Sequence, residues 1–568
     1  MSTLGGAGLM VAGRLPAALA APMSLTPYMV SLPIPPKAVR GAGGVIRLMA
    51  QQSTQAMHPR LSAVKVWGYN QDVGKTAGYL GPTIELNRNS STTVAFTNKL
   101  PISHFLPVNI EIAGSRGTDS RILTHLHGGF VSGTNDGNPY ATQDEYGLTE
   151  TQQVSYPPHP RATTLWYHDH ALGMTRLNVY AGLAGFLRMR DDFDTGKEDN
   201  PIGIPGGPYE VPILLQDKTF SGGQLFYSPN TTWIPEFFGK TPVVNGAVQP
   251  FLRVEPRMYR LTFLNGSQSR FYHLELAIGD NPGPRFYQIG SEGGMFDAPV
   301  PINRILLLPA ERADVIVDFR GFAGQNIELK NRALPRGVVS PATPRIPSLM
   351  QFRVRGPVTT PGPQTIPTTL AGGSKPNLGA PVKTRYITLE EVLDAAGNPV
   401  RLEMNGRVFD DPVKEMPTED TIEDWSFVNI SADTHPIHMH LTNFQVMGRR
   451  PINGVLYAQD LANARAKAAN EPLPFPARPT PPRLLENNTI APGPYYVGPE
   501  VAPAANEKGW KDTVAANPNQ VTRIRQMFEL PEGAEGSPPD SPQRRYVYHC
   551  HILEHEDNDM MRPFKVVQ

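Results

Sequence analysis

The chain reads as an all-β protein of three similar Greek-key sandwich or barrel domains, and three observations lead there. Its 568 residues include 52 glycines and 59 prolines, which fall between short β-rich segments rather than in repeats or one low-complexity block. Those segments alternate: in Arg257 to Phe263, Tyr259, Leu261 and Phe263 share one face, and Ala313 to Phe319 is a second apolar strand. A Phe-x-Asn triplet also closes an apolar strand at Phe96-Thr97-Asn98, Phe263-Leu264-Asn265 and Phe427-Val428-Asn429, at spacings of 167 and 164 residues. Near-equal spacing of that length is what three domains of ordinary size produce.

Residues 1–40 precede the first domain. Leu4 to Ala12 is small and apolar and Ala18-Leu19-Ala20 resembles a signal-peptidase site, but no positively charged segment comes before it. The stretch reads either as a remnant export signal, implying an extracytoplasmic (periplasmic or secreted) protein, or as a flexible tail. Gly13, Arg14 and Pro16 break it too often for a bilayer span, and no other stretch is long enough, so a soluble protein is expected. The first domain takes residues 41–195, and the polar, Gly/Pro-rich Asp191 to Pro208 leads to the second, 205–355. A Pro/Thr/Gly linker, Arg355 to Thr384, leads to the third, 385–568. Within it, the Ala/Pro-rich Leu461 to Ala505 reads as a surface excursion whose start, Leu461 to Asn470, favours a short helix.

With 52 basic and 52 acidic residues the chain is neutral, and no long Lys/Arg run provides the concentrated basic face that nucleic acid, anionic membranes or phosphate ligands would need. The single cysteine, Cys550, excludes an internal disulfide.

That cysteine lies in the most informative stretch, His549-Cys550-His551-Ile552-Leu553-Glu554-His555-Glu556-Asp557-Asn558-Asp559-Met560. A lone thiolate with nearby histidines and a methionine is the ligand inventory of a mononuclear copper electron-transfer site. In an extended strand His549 and His551 point one way and Cys550 the other, so one tripeptide serves two metal sites back to back.

Four His-x-His pairs occur: His125-Leu126-His127, His168-Asp169-His170, His438-Met439-His440 and His549-Cys550-His551. One pair alone is often no more than polar surface, but four use eight of the 14 histidines. Eight convergent imidazoles exceed what one metal accepts, so the economical arrangement is a three-metal cluster between the first and third domains. The middle domain, with His273 only, is then a copper-free spacer. In His435-Pro436-Ile437-His438 the offset of three turns His435 away from that cluster and toward Cys550, which makes His435, Cys550, His555 and a weak axial Met560 the mononuclear set. The neighbouring Met561 is an alternative core residue. His58, His104, His159 and His273 lack partner spacing and read as surface or hydrogen-bonded core.

These four motifs, in this order, resemble the multicopper oxidases, and Trp166-Tyr167-His168-Asp169-His170 and His549 to Met561 look most like the bacterial spore-coat laccase and bilirubin oxidase-like branch. The likeness runs from about Gly81 to the end and implies three cupredoxin domains with four copper ions. By resemblance, His435, Cys550, His555 and Met560 hold type 1 copper, His125 and His438 type 2, and His127, His168, His170, His440, His549 and His551 the type 3 pair. Electrons from a small-molecule donor then pass through Cys550 to His549 and His551, and dioxygen is reduced to water. Glu556 and Asp136 match the family's acidic residues near the dioxygen path and suit general acid work. Asn135-Asp136-Gly137 is equally a good turn sequence. A methionine axial ligand lowers the type 1 potential relative to Leu or Phe, which favours easily oxidised donors.

The leading expectation is a monomeric laccase-like oxidase of phenols and aromatic amines, which would approach the exposed edge of His555. Bilirubin-like tetrapyrroles and o-aminophenols are alternative donors. A metallo-oxidase acting on Cu(I) would favour a methionine-rich insert, whereas the 18 methionines are scattered and Leu461 to Ala505 has none. A non-catalytic copper-binding protein would be expected to have lost ligands, yet all are present. An electron-transfer cupredoxin or a nitrite-reductase-like protein does not need eight paired histidines.

Overall fold

The computed structural model describes residues 25–71, 78–115, 120–139, 151–228, 233–340, 345–370 and 378–568. The apolar N-terminal segment that reads as an export signal lies outside them. Among the described residues no helix is long and apolar enough to cross a membrane.

Among the described residues, six sheets pair into three sandwiches. In the first, strands Val64–Asn70, Ile46–Gln55, Thr92–Asn98 and Thr151–Tyr156 face a sheet of Ile84–Asn87, Ala184–Arg190, Thr163–Asp169 and Thr124–His127. Leu48, Trp67, Phe96, Leu126, Leu165 and Leu187 fill the space between. The middle sandwich is larger, and its core gathers Tyr259, Leu261 and Phe263 with Ala313, Val315, Val317 and Phe319, the alternate positions of two antiparallel strands. In the third, a sheet through Lys383–Leu393, Ile422–Asn429 and Gln520–Met527 covers a sheet of Thr513–Ala516, His435–Met439, Arg545–Cys550 and Met561–Lys565.

The Phe-x-Asn repeat has a structural cause. Thr92–Asn98, Met258–Asn265 and Ile422–Asn429 occupy equivalent places, each parallel to the first long strand of its sandwich and antiparallel to a later one. Each ends at the asparagine, whose Oδ1 accepts the N–H two residues on: Leu100 at 3.0 Å, Ser267 at 3.0 Å and Ser431 at 2.9 Å. Such an Asx turn ends the strand and fixes the direction of exit. The amide also donates to distant carbonyls, Ser120 from Asn98, Arg270 and Leu307 from Asn265, and Asp433 and Ala516 from Asn429.

The sequence-based boundaries differ in detail. The helix expected at Leu461 to Asn470 is Gly454–Ala469, because the Asn453 side chain caps it through Leu456 N–H and left-handed Asn470 ends it. Tyr457 and Leu461 pack it onto Ile490, Tyr495 and Val521, so the excursion is anchored at its base. Asp191 to Pro208 looks like a polar linker, yet Asp194 is buried and receives Arg260 at 2.7 Å. Polar composition marks a loose connector only where charges lack buried partners.

Asn265→Ala would leave the Arg270 and Leu307 carbonyls and the Ser267 N–H short of a partner in the core. We expect a loss of about 1–3 kcal/mol in chemical denaturation.

Candidate metal centres

Two strands and a short helix build the first cluster. His435 opens His435–Met439, Cys550 closes Arg545–Cys550 beside it, and His555 lies in the one-turn helix Leu553–Glu556. Cys550 Sγ is 3.5 Å from Nδ1 of both His435 and His555, and those nitrogens are 3.3 Å apart. The other nitrogens meet oxygens: His435 Nε2 is 2.6 Å from Ser431 Oγ, and His555 Nε2 is 3.1 Å from Glu236 Oε1. Ser431 Oγ also donates to Asn429 Oδ1 at 2.8 Å, so the strand-ending asparagine of the third sandwich helps to set His435. Met560 belongs to the core cluster of Cys550 and Ile552, and its carbonyl accepts the Cys550 N–H at 3.0 Å, whereas Met561 packs with Phe409 and Val547.

Two ladders build the second cluster. Thr124–His127 pairs with Thr163–Asp169 so that His125 stands opposite His168, and His435–Met439 pairs with Arg545–Cys550 so that His438 stands opposite His549. Each motif then adds a second imidazole: His127, His170, His440 and His551. The two sets interleave, His125 stacking on His440 with ring centroids 4.0 Å apart and His127 on His438 at 3.6 Å. His549 Nε2 lies 3.3 Å from His170 Nε2 and 3.2 Å from His440 Nε2. The rings of His127, His168 and His551 form a triangle with sides of 5.0, 5.3 and 5.7 Å, and those of His125 and His438 are 5.9 Å apart.

The imidazoles are held from outside. Backbone carbonyls meet Nδ1 of His125 (Asp136, 2.6 Å), His168 (Asp169, 2.9 Å), His438 (Asp512, 2.8 Å) and His549 (Cys550, 3.1 Å). Asp136 Oδ2 meets His440 Nδ1 at 2.6 Å, and Asp512 Oδ1 meets His127 Nε2 at 3.2 Å. The inward nitrogens, Nε2 of His125, His168 and His438 and Nδ1 of His127, have no hydrogen-bond partner among the described residues. Buried ring nitrogens in proteins are usually paired, and an oxygen on the far nitrogen is the habit of metal-bound histidine. Burial, followed by the neighbouring imidazoles, holds His438 and His440 well below the ordinary histidine range, so they are neutral, as metal binding requires. The donor sets, imidazoles in one cluster and a thiol with two imidazoles in the other, fit copper.

Family models described as multicopper oxidase match residues 108–193 and 382–568. The chain is 36% identical to the laccase of Bacillus subtilis (strain 168), over 96% of this chain and 99% of that one. The chain is a multicopper oxidase. It is also 33% identical to a laccase of Haloferax volcanii, covering 99% of this chain and 89% of the relative. A multicopper oxidase variant of Aquifex aeolicus, McoA 2F4, superposes with a TM-score of 0.70 at 26% identity, over 95% of this chain and all of the other. The three sandwiches are cupredoxin-like, as in these relatives.

Both acidic residues singled out in the sequence touch one imidazole trio of this oxidase. Glu556 Oε1 is 3.3 Å from His170 Nδ1 and its Oε2 3.2 Å from His549 Nδ1, while Asp136 meets the third member, His440. Asp136 is also in a turn, with Gly137 at φ 72°. Burial raises the Glu556 carboxyl above its ordinary value. His58, His159 and His273 bond to the carbonyls of Thr26, Arg161 and Ala333, His104 accepts the Leu106 N–H, and none joins a cluster.

One expectation is corrected. His555 has no exposed edge: it is fully buried, because Glu236 from the middle domain lies across its Nε2. Four further residues carry no spacing signal and emerge only in three dimensions. Glu391 and Asp433 gather near Glu236, and Asp512 is held by Arg312 behind His127 and His438. The middle domain is therefore more than a spacer.

Cys550→Ser removes the thiolate and leaves the eight paired histidines. We expect loss of the intense blue absorption with copper kept in the histidine cluster, read by visible and EPR spectra and metal analysis of one preparation.

Proposed function

We propose that this multicopper oxidase is laccase-like: it takes single electrons from phenols or aromatic amines and reduces dioxygen to water. His435, Cys550, His555 and Met560 are assigned to type 1 copper, His125 and His438 to type 2, and His127, His168, His170, His440, His549 and His551 to the type 3 pair. The observation that carries this reading is the direct covalent continuity between the two clusters, with Cys550 in one and its neighbours His549 and His551 beside or within the other. When bound, four copper ions supply one-electron exchange with the donor and the electrons that dioxygen reduction needs.

The side chains supply orientation and protons. Glu236 covers His555, and burial pushes its carboxyl up to about 7, so it can take the proton that a phenol releases on oxidation. At the other cluster, Asp136 holds the outer nitrogen of His440, and Glu556 lies within 3.3 Å of the outer nitrogens of His170 and His549. We assign Glu556 the further task of delivering protons during dioxygen reduction.

A second reading, a metallo-oxidase acting on Cu(I) or another metal ion, is favoured by the carboxylates beside His555. Burial and then the charges of Glu236 and Glu391 raise Asp433 to about 7, which marks the three as neighbours. Such a patch attracts cations.

Oxygen uptake by copper-saturated enzyme with a phenol, an aromatic amine, bilirubin and Cu(I) separates the donors. We expect phenol turnover without peroxide, unaffected by Glu391→Gln; turnover of Cu(I) alone, with a higher KM in that variant, would replace the leading reading by the second. Glu556→Gln is expected to slow reoxidation of the reduced enzyme by about a hundredfold or more in stopped flow and to leave type 1 reduction unchanged.

A further inference from the structure

We propose that Arg312, on the middle domain, is a positioning residue for the histidine cluster, acting through Asp512 on His127 and His438. The proposal rests on the copper reading above and extends it to a residue outside both metal-bearing domains.

Arg312 and Asp512 are both buried. Arg312 Nη1 donates to Asp512 Oδ1 at 2.9 Å and Nη2 to Oδ2 at 2.6 Å, the two-pronged pairing that fixes a carboxylate in plane. Asp512 then uses two atoms on two histidines: Oδ1 on His127 Nε2 at 3.2 Å and the backbone carbonyl on His438 Nδ1 at 2.8 Å. His127 and His438 come from different domains and stack at 3.6 Å, so one residue sets the register between the two halves of the cluster. His127, His438 and Asp512 also lie close enough together to bind a cation directly. The guanidinium already occupies the carboxylate, which leaves Asp512 outside the cluster as an orienting group.

Arg312 is itself clamped. Its Nε donates to the Thr164 carbonyl of the first domain at 3.2 Å, and its backbone N–H donates to Glu292 Oε1 at 3.0 Å. Glu292 Oε2 is 2.8 Å from Lys511 Nζ, beside Asp512 in sequence. Thr164, Arg312 and Asp512 thus bring all three domains to one point. Gly128, next after His127, gives an independent sign of how tightly that point is packed. At φ 82° it would, with a Cβ, come within 2.5 Å of Asp512 Oδ2 and 2.9 Å of Arg312 Nη2. On its open side Arg312 borders a cavity of about 300 Å³ between the middle and third domains, so truncation would admit water to Asp512. Buried ion pairs are weak sources of stability but good sources of defined geometry, which is the role assigned here.

The test compares wild type with Arg312→Met, Arg312→Lys and Asp512→Asn, each saturated with copper and then dialysed against graded chelator. Copper content, the type 2 EPR signal, blue absorption and thermal unfolding are read on each sample. We expect Arg312→Met and Asp512→Asn to hold type 2 copper about tenfold to a hundredfold less tightly, with altered hyperfine splitting and unchanged blue absorption. Arg312→Lys, which keeps the charge without the fork, should fall between. Blue absorption reports folding of the third domain in each sample; if Arg312→Met fails to fold, the other two variants decide. Type 2 retention and spectra equal to wild type in the folded variants would overturn the positioning role and leave the copper reading intact. Wild type that binds only the blue copper would overturn the copper reading, and this proposal with it.

Discussion

Everything in this oxidase depends on a property of extended backbone: consecutive side chains leave on opposite faces. At the end of Arg545–Cys550 this sends the thiol toward His435 and His555 while His549 meets His440 and His170. Two centres are thereby held a few covalent bonds apart without a cofactor between them. The arrangement needs a strand there, and the strand is kept by ladders to His435–Met439 and Met561–Lys565 on its two sides.

The cost of gathering eight imidazoles in a dry interface is met by the surroundings. Desolvation holds His127, His168, His438, His440 and His551 well below the ordinary histidine range, and an oxygen on the outer nitrogen of His125, His127, His168, His438, His440 and His549 selects the one that faces inward. Four of those six oxygens are backbone carbonyls, which do not titrate. Carboxylates appear only where they also serve as hubs: Asp136 joins His125 and His440, Glu556 joins His170 and His549, and Asp512 joins His127 and His438. Each hub connects histidines that lie far apart in sequence or on different domains.

The middle domain has no ligand motif but reaches both centres. Glu236 lies across His555 Nε2, and Arg312 pairs with Asp512, which in turn meets His127. A domain that only spaced its neighbours would not need a buried arginine at the point where all three meet.

Much of this was legible in the linear chain. The His-x-His pairs are local, and strand alternation is a local rule, so the two faces of His549-Cys550-His551 and the odd offset of His435 follow without a fold. The Phe-x-Asn repeat was legible for the same reason, since an Asx turn spans only two residues. Tertiary structure alone decided what long-range packing brings in: Glu236 over His555, Glu391 and Asp433 beside it, and the Arg312 to Asp512 brace. It also decided that His555 is covered and that Asp194 is buried, because exposure is a property of what folds back over a residue. Sequence determined the donor atoms and the side of the strand on which each stands; only the packing of three domains determined which oxygens aim them and what guards the way in.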